Sequence, residues 1–115
     1  SYTALMSRPD IPPDVSLQAE YKLGRCLDKT GDLAGALERY FNVIYRYAAQ
    51  KERAAGSEAW FTRAALGAAA IKEHQQLWPE AISIYERLIG EGVPAAEEAR
   101  MRIRKIRTEH WVPGT

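Results

Sequence analysis

The stretch KTGDLAGALERYFNVIY, residues 29–45, contains the end of one helical pattern, a turn and the start of another helical pattern. Gly31 can adopt the left-handed conformation that ends a helix, and Asp32 can cap the helix that follows. Beyond the turn, apolar residues recur every three or four positions, at Leu33, Ala36, Leu37, Tyr40, Ile44 and Tyr47. Because this spacing is that of one face of an α-helix, the stretch predicts a helical hairpin.

Similar patterns on both sides of this stretch predict an all-α chain of about five helices, with no segment that alternates as a strand would. We expect one helical domain over residues 14–110, made of a hairpin at 14–55, a hairpin at 58–91 and a capping helix at 95–109. Within it, Ser57 is predicted to cap the third helix, and Pro79 fits the first turn of the fourth. The flanks are predicted to be a linker or extended lead-in at 1–13, where three of the six prolines lie, and a frayed tail at 111–115.

The composition limits the classes of protein to which the chain can belong. The 115 residues carry a net charge of +1, so no global field favours nucleic acid or an anionic membrane. No apolar run approaches the roughly 20 residues of a membrane span. The single cysteine, Cys26, excludes an intramolecular disulfide, and its place on an apolar stripe predicts that it is buried. The chain begins at Ser1 without an initiator methionine, and we expect it to be a piece of a longer protein.

Two parts of the sequence resemble each other. Ala36 and Tyr40 match residues 45 positions later, and the pair Leu23-Gly24 matches a pair 43 positions later; the later residues are Leu66, Gly67, Ala81 and Tyr85. The difference of two residues is predicted to lie in the second turn, within KEHQQ at 72–76, because insertions between helices are tolerated most easily. The small residues allow the helices of one hairpin to cross closely, and the tyrosines are predicted to fill the groove between stacked hairpins.

With these residues the chain resembles the tetratricopeptide repeat family. The matching positions are Leu23, Gly24, Gly31, Asp32, Leu33, Ala36 and Tyr40 in the first unit, and Leu66, Gly67, Ala81 and Tyr85 in the second. The resemblance implies a right-handed superhelical stack of antiparallel hairpins that acts as a protein–protein interaction scaffold or adaptor. The period is longer than the family's, and Ala48 stands where the family has a turn proline. This longer spacing is similar to that of bacterial cell-envelope members, which favours the periplasm or envelope; the residues themselves leave the compartment open.

The resemblance also implies a concave groove that binds a peptide or protein partner. Its lining would be Gln18, Tyr21, Arg25 and Lys29 from the first helix and Phe61, Ala64, Ala68 and Lys72 from the third. Tyr21 and Phe61 would be apolar anchors, or alternatively core residues, and Arg25 would bind a carboxylate. The family's clamp for a chaperone C-terminus is absent. A second aromatic stripe, Phe41 and Tyr45, predicts either a surface for a partner or second copy, or packing on the neighbouring hairpin.

Two other functions stay open. Arg100, Arg104 and Arg107 share one helix face that could bind the phosphates of a nucleic acid, although Glu98 is well placed to pair with Arg102 and favours a solvated face. Alternatively, the chain is a structural segment of a longer solenoid. His74 and His110 are far apart in sequence, and no metal-ligand spacing or phosphate-binding loop is present. We therefore predict no enzymatic activity, no cofactor and no metal.

Overall fold

The structure, a computed structural model, describes residues 13–50 and 56–110. Within these ranges the chain forms five α-helices: α1 (Pro13–Thr30), α2 (Leu33–Ala49), α3 (Ser57–His74), α4 (Trp78–Gly90) and α5 (Ala96–Glu109). Helix takes up 86% of the described residues and none of them forms a strand, so the prediction of an all-α chain of five helices is confirmed. Residues 1–12 of the linker predicted at 1–13 and the predicted tail at 111–115 lie outside the described residues, and Pro13 is the first residue of α1.

The chain divides into two compact units, which we describe separately. The N-terminal unit, Ser1–Ala64, holds α1, α2 and the first part of α3. The C-terminal unit, Ala65–Thr115, holds the rest of α3 with α4 and α5. The superhelical sense of stacking implied by the resemblance stays a prediction.

In the N-terminal unit, α1 and α2 pack as an antiparallel hairpin around a glycine. A methyl group added at Gly24 would lie 2.8 Å from Cε1 of Tyr40 and 3.2 Å from Cβ of Arg39. The Tyr40 ring is fully buried against this glycine, so the predicted close approach of the two helices is present here. Tyr40 therefore fills space within its own hairpin, next to Gly24.

A buried carboxylate joins the same two helices. The side chain of Glu20, on α1, is fully buried, and its Oε1 accepts a hydrogen bond from Nδ2 of Asn42 (2.6 Å). The guanidinium of Arg39 lies 3.5 Å from the same oxygen. These contacts join α2 to α1 through Oε1, whereas the buried Oε2 has no hydrogen-bond partner among the described residues.

In the C-terminal unit, α4 and α5 pack side by side along their length. The Trp78 indole, at the start of α4, stacks on the His110 imidazole, at the end of α5, with 3.8 Å between ring centroids. The buried apolar residues of the two helices and of the turn between them are Ala81, Ile82, Ile84, Tyr85, Leu88, Val93, Ala96, Ala99, Ile103 and Ile106. Contact between the start of one helix and the end of the next means that the two are antiparallel.

The turn between α1 and α2 has the hydrogen-bond pattern of a Schellman motif. The Asp32 N–H donates to the carbonyl of Leu27 (2.9 Å), and the Gly31 N–H donates to that of Asp28 (3.1 Å). Gly31 has φ of +90°, and the Asp32 carboxylate accepts from the N–H of Gly35 (3.0 Å) as the cap of α2. The predicted roles of Gly31 and Asp32 are confirmed.

The turn between α3 and α4 has the same two hydrogen bonds. The Leu77 N–H donates to the carbonyl of Lys72 (2.9 Å), and the Gln76 N–H donates to that of Glu73 (2.9 Å). Gln76 takes the left-handed conformation, with φ of +60°, where the first turn has a glycine. Pro79 lies in the first turn of α4, as predicted.

All four positions of the second turn follow those of the first by 45 residues, so the predicted two-residue insertion in this turn is wrong. With a constant offset of 45, the counterpart of Gly24 is Ala69, which is fully buried, and not the half-buried Gly67. At this offset the half-buried Leu66 is likewise not the counterpart of Leu23. The pairs Ala36–Ala81 and Tyr40–Tyr85 keep their match, and all four residues are buried.

Three further predictions differ from the structure. Helix α2 ends at Ala49 and not near residue 55, because Gln50 is extended (φ −71°, ψ 125°). Ser57 is the first helical residue of α3 and follows Gly56, whose φ is +92°; its buried hydroxyl makes no capping hydrogen bond within the described chain. Cys26 is exposed, because it lies just outside the buried stripe of α1.

Candidate functional site

The predicted groove residues of α1 lie on one stripe of the N-terminal unit. Arg25 and Lys29 are exposed, whereas Gln18 and Tyr21 are half-buried. The four positions are spaced by three or four residues, so their side chains follow one another along the same helix face. This part of the predicted surface is accessible to a partner.

Most of the predicted groove residues of α3 lie in the core. Phe61 is 1% exposed and stacks on Tyr47, with 4.4 Å between ring centroids and 13° between planes. Ala64 and Ala68 are fully buried, so none of the three is accessible to a partner. Lys72 is half-buried and its Nζ lies 3.6 Å from a carboxylate oxygen of Glu80. The interpretation of Phe61 as an anchor therefore gives way to the alternative, a core residue.

Trp60, which was not among the residues predicted to line the groove, takes the accessible position beside Tyr21. The two rings are half-buried, with 5.8 Å between their centroids. The guanidinium carbon of Arg63 lies 4.8 Å from the Trp60 ring centroid, a cation–π distance. We call the set Tyr21, Arg25, Trp60 and Arg63 the aromatic–cationic patch; all four belong to the N-terminal unit.

The patch has an excess of positive charge. Arg25 makes no ion pair with any residue that the structure describes, and the nearby carboxylates are engaged elsewhere. Asp28 accepts a hydrogen bond from the Tyr40 hydroxyl (3.3 Å), and Glu20 is buried. Burial, and then the negative charge of Asp28, raises the pKa of Tyr40 well above its ordinary value, while the charge of Arg25 opposes this rise.

The C-terminal unit contains the same tyrosine–carboxylate pair. The Tyr85 hydroxyl donates to Oε2 of Glu73, and both residues follow Tyr40 and Asp28 by 45 positions. Burial, and then this hydrogen bond, raises the pKa of Tyr85 well above its ordinary value. The two tyrosines can be matched from the sequence, but their partners are less easily matched, because one is an aspartate and the other a glutamate.

The other candidate surfaces lie apart from the patch in sequence. Arg102 lies 3.5 Å from Glu98, as predicted, and Arg100 lies 3.3 Å from Glu97. Phe41 and Tyr45 stack, with 5.9 Å between ring centroids, and Tyr45 is 54% exposed.

The two histidines of the described residues have different surroundings. His74 is exposed, and His110 stacks on Trp78. Across residues 13–50 and 56–110 no three histidine, cysteine, aspartate or glutamate side chains come together as metal ligands would. None of the five described helices combines the length and the apolar character needed to span a bilayer.

Comparison of the chain with protein families, with curated proteins and with solved structures finds no match.

Proposed function

We propose that this chain is a protein-interaction module that binds an acidic peptide segment of a partner protein through the aromatic–cationic patch. The observation that carries the proposal is the pair of half-buried rings, Tyr21 and Trp60, with the Arg63 guanidinium over the Trp60 ring. Arg25 is exposed and follows Tyr21 by four residues on the same face of α1. Tyrosine, tryptophan and arginine are the residues that contribute most often to binding energy at protein interfaces.

The rings and the cations favour different parts of one ligand. Half-buried aromatic rings expose rigid apolar surface and lose little conformational entropy on binding. The Arg25 guanidinium can bind a carboxylate through two parallel hydrogen bonds. An extended segment with an apolar side chain next to an aspartate or glutamate matches both. The resemblance to tetratricopeptide repeats supports the same proposal, because members of that family bind peptides with the first helix of a hairpin.

The test is capture of partners from a lysate, with the whole chain immobilised and nuclease added to one arm. We expect a protein that is recovered with and without nuclease, and that is lost with Arg25→Glu. Arg25 is exposed, so this change should leave the fold intact. Lys105→Glu, on the exposed surface of α5, makes the same change in net charge and should retain the partner.

The other outcomes favour the two remaining hypotheses. Recovery that disappears with nuclease and depends steeply on salt would favour a nucleic-acid-associated domain that uses the arginines of α5. Recovery of nothing in either arm would favour a structural segment of a longer solenoid. Equal recovery with Arg25→Glu and Lys105→Glu would move the interface away from the patch.

A further inference from the structure

A second candidate surface lies in the C-terminal unit, in a groove between α4 and α5. The groove has a volume of about 610 Å³, within the range of ligand-binding clefts. It is lined by Glu86, Ile89 and Gly90 from α4 and by Arg100, Ile103, Arg104, Arg107 and Thr108 from α5. The proposed function does not use any of these residues.

The lining combines an apolar floor with a basic edge. Ile103 is 6% exposed and Ile89 is half-buried, so each presents only part of an apolar side chain to the groove. A methyl group added at Gly90 would have no atom within 4 Å, so the groove is open at the end of α4. The three arginines are exposed and spaced at i, i+4 and i+7, which places them in a row of about 10 Å along one side.

The basic edge has unsatisfied charge. Arg104 and Arg107 make no ion pair with any residue of the described ranges, and Arg100 shares an exposed pair with Glu97 at 3.3 Å. Such an exposed pair contributes little, so Arg100 can exchange it for another carboxylate. Glu86 is the one acidic group among the lining residues. The groove therefore complements a negatively charged ligand.

We propose that this groove binds an acidic amphipathic helix of a partner protein. Carboxylates spaced at i, i+4 and i+7 on that helix would follow the row of arginines over the same two turns. Leucine or isoleucine on the adjacent stripe would pack on Ile89 and Ile103, as in other helix-in-groove complexes. Phosphates would match the arginines equally well, but they would leave the apolar floor unused and would lie beside Glu86. The floor thus favours a peptide over a nucleic acid.

The test is selection from a displayed library of peptides of about 16 residues, or four helical turns, against the whole chain. Binding of the selected peptides is then measured by fluorescence anisotropy. We expect sequences with aspartate or glutamate on one helical stripe and leucine or isoleucine on the next. Arg104→Glu/Arg107→Glu should weaken their binding about a hundredfold, the equivalent of two lost charge-assisted contacts.

A matched control separates the groove from general electrostatics. Arg102→Glu/Lys105→Glu makes the same change in net charge on the same helix, outside the groove lining, and should change the affinity by about twofold or less. Gly90→Leu adds an apolar side chain in the open end of the groove and should weaken binding without affecting the fold. Circular dichroism and thermal melting verify that each variant is folded.

Three results would overturn the proposal. The first is a selection that yields no acidic amphipathic peptides. The second is an equal loss of affinity with the groove and control double variants, and the third is competition by a single strand of about 20 nucleotides that depends on the same arginines. Arg25→Glu should leave these peptides bound, so failure of this proposal and failure of the aromatic–cationic patch are distinguishable.

Discussion

The hairpin α1–α2 and the hairpin α3–α4 close with the same turn but fill the space behind it differently. In both, two backbone hydrogen bonds form the turn, and a buried tyrosine on the second helix donates to a carboxylate on the first. These features recur at a constant offset of 45 residues. The turn and the tyrosine–carboxylate pair therefore define the repeat better than the leucine–glycine pairs do.

The side chains behind the turn differ in polarity. Glu20 and Arg39 of the first hairpin correspond to Ala65 and Ile84 of the second, and both of these are buried. The same backbone motif is thus compatible with a buried polar network in one hairpin and with apolar side chains in the other. The turn therefore sets the geometry of the hairpin, whereas the residues behind it can vary in chemistry.

The largest expected effect on stability comes from replacing Glu20 of the first hairpin by alanine, the residue at the corresponding position of the second hairpin. Glu20→Ala leaves the donors of Asn42 and Arg39 without their acceptor and opens a cavity, so it should reduce the free energy of unfolding by about 3 kcal/mol. Adding Arg39→Ile, which gives both positions the apolar residues found in the second hairpin, should reduce the free energy of unfolding by less than the sum of the two single changes. Urea denaturation measures both, and strict additivity would contradict the network.

The next effect concerns the close approach at Gly24. Gly24→Ala places a methyl group 2.8 Å from the buried Tyr40 ring, so the variant should be destabilised by about 2 kcal/mol despite its higher helix propensity. Gly90→Ala is the matched control, because it has open space around the added methyl group, and it should stabilise the protein slightly. Thermal melting checks both. A stabilising Gly24→Ala would show that the helices can separate at this point.

A smaller loss of stability is expected from removing either tyrosine hydroxyl. Tyr40→Phe and Tyr85→Phe each delete a hydrogen bond to a carboxylate. Each substitution should reduce the free energy of unfolding by about 1.5 kcal/mol. If the repeat is defined by this bond, the two losses should be similar in urea denaturation. A loss confined to one variant would mean that the bond has different roles in the two hairpins.

The same hydroxyls give the protein a pH dependence. Burial raises the pKa of both groups in the folded chain above the value of about 10 that they have when unfolded. Their contribution to stability is therefore fully present below pH 10 and is lost as the pH rises above it, by up to about 1.4 kcal/mol per pH unit for each group. The phenylalanine variants should flatten this alkaline slope in denaturation measured between about pH 10 and 12.

The smallest effects on stability are expected from substitutions at the residue of each turn that has the left-handed backbone conformation. Gln76→Gly relieves a backbone conformation that is unfavourable for a side chain, and it should stabilise the protein by about 1 kcal/mol. Gly31→Ala introduces the same strain into the first turn and should destabilise it by a similar amount. Thermal melting tests the pair. Destabilisation by Gln76→Gly would indicate that the glutamine side chain itself supports the turn.

The sequence predicted those parts of the fold that depend on neighbouring residues. Gly31, Asp32 and Pro79 have conformational preferences that act locally, so the turn, the cap and the start of α4 could be placed from them. The burial of Tyr40 and Tyr85 followed from helical spacing. The second turn could not be predicted in the same way, because Gln76 has no intrinsic preference for the left-handed conformation it adopts.

The candidate site was predicted less well, because it depends on which of two adjacent residues faces the core. Trp60 and Phe61 are both aromatic and lie about 100° apart around α3. Contact with Tyr47 decides that Phe61 is the buried one, and this contact is not visible in the pattern of α3 alone. Arg25 is exposed and Tyr21 is half-buried, in keeping with the more distinct polar face of α1, and their role in binding stays a prediction.

The tyrosine–carboxylate bonds also bear on how the chain folds. Each bond joins residues only twelve positions apart, so either hairpin can form it by closing a short loop. Short loops close quickly, and proteins rich in such local contacts fold faster than those that depend on distant pairings. Each hairpin can therefore establish its register early and on its own, before longer-range contacts have formed.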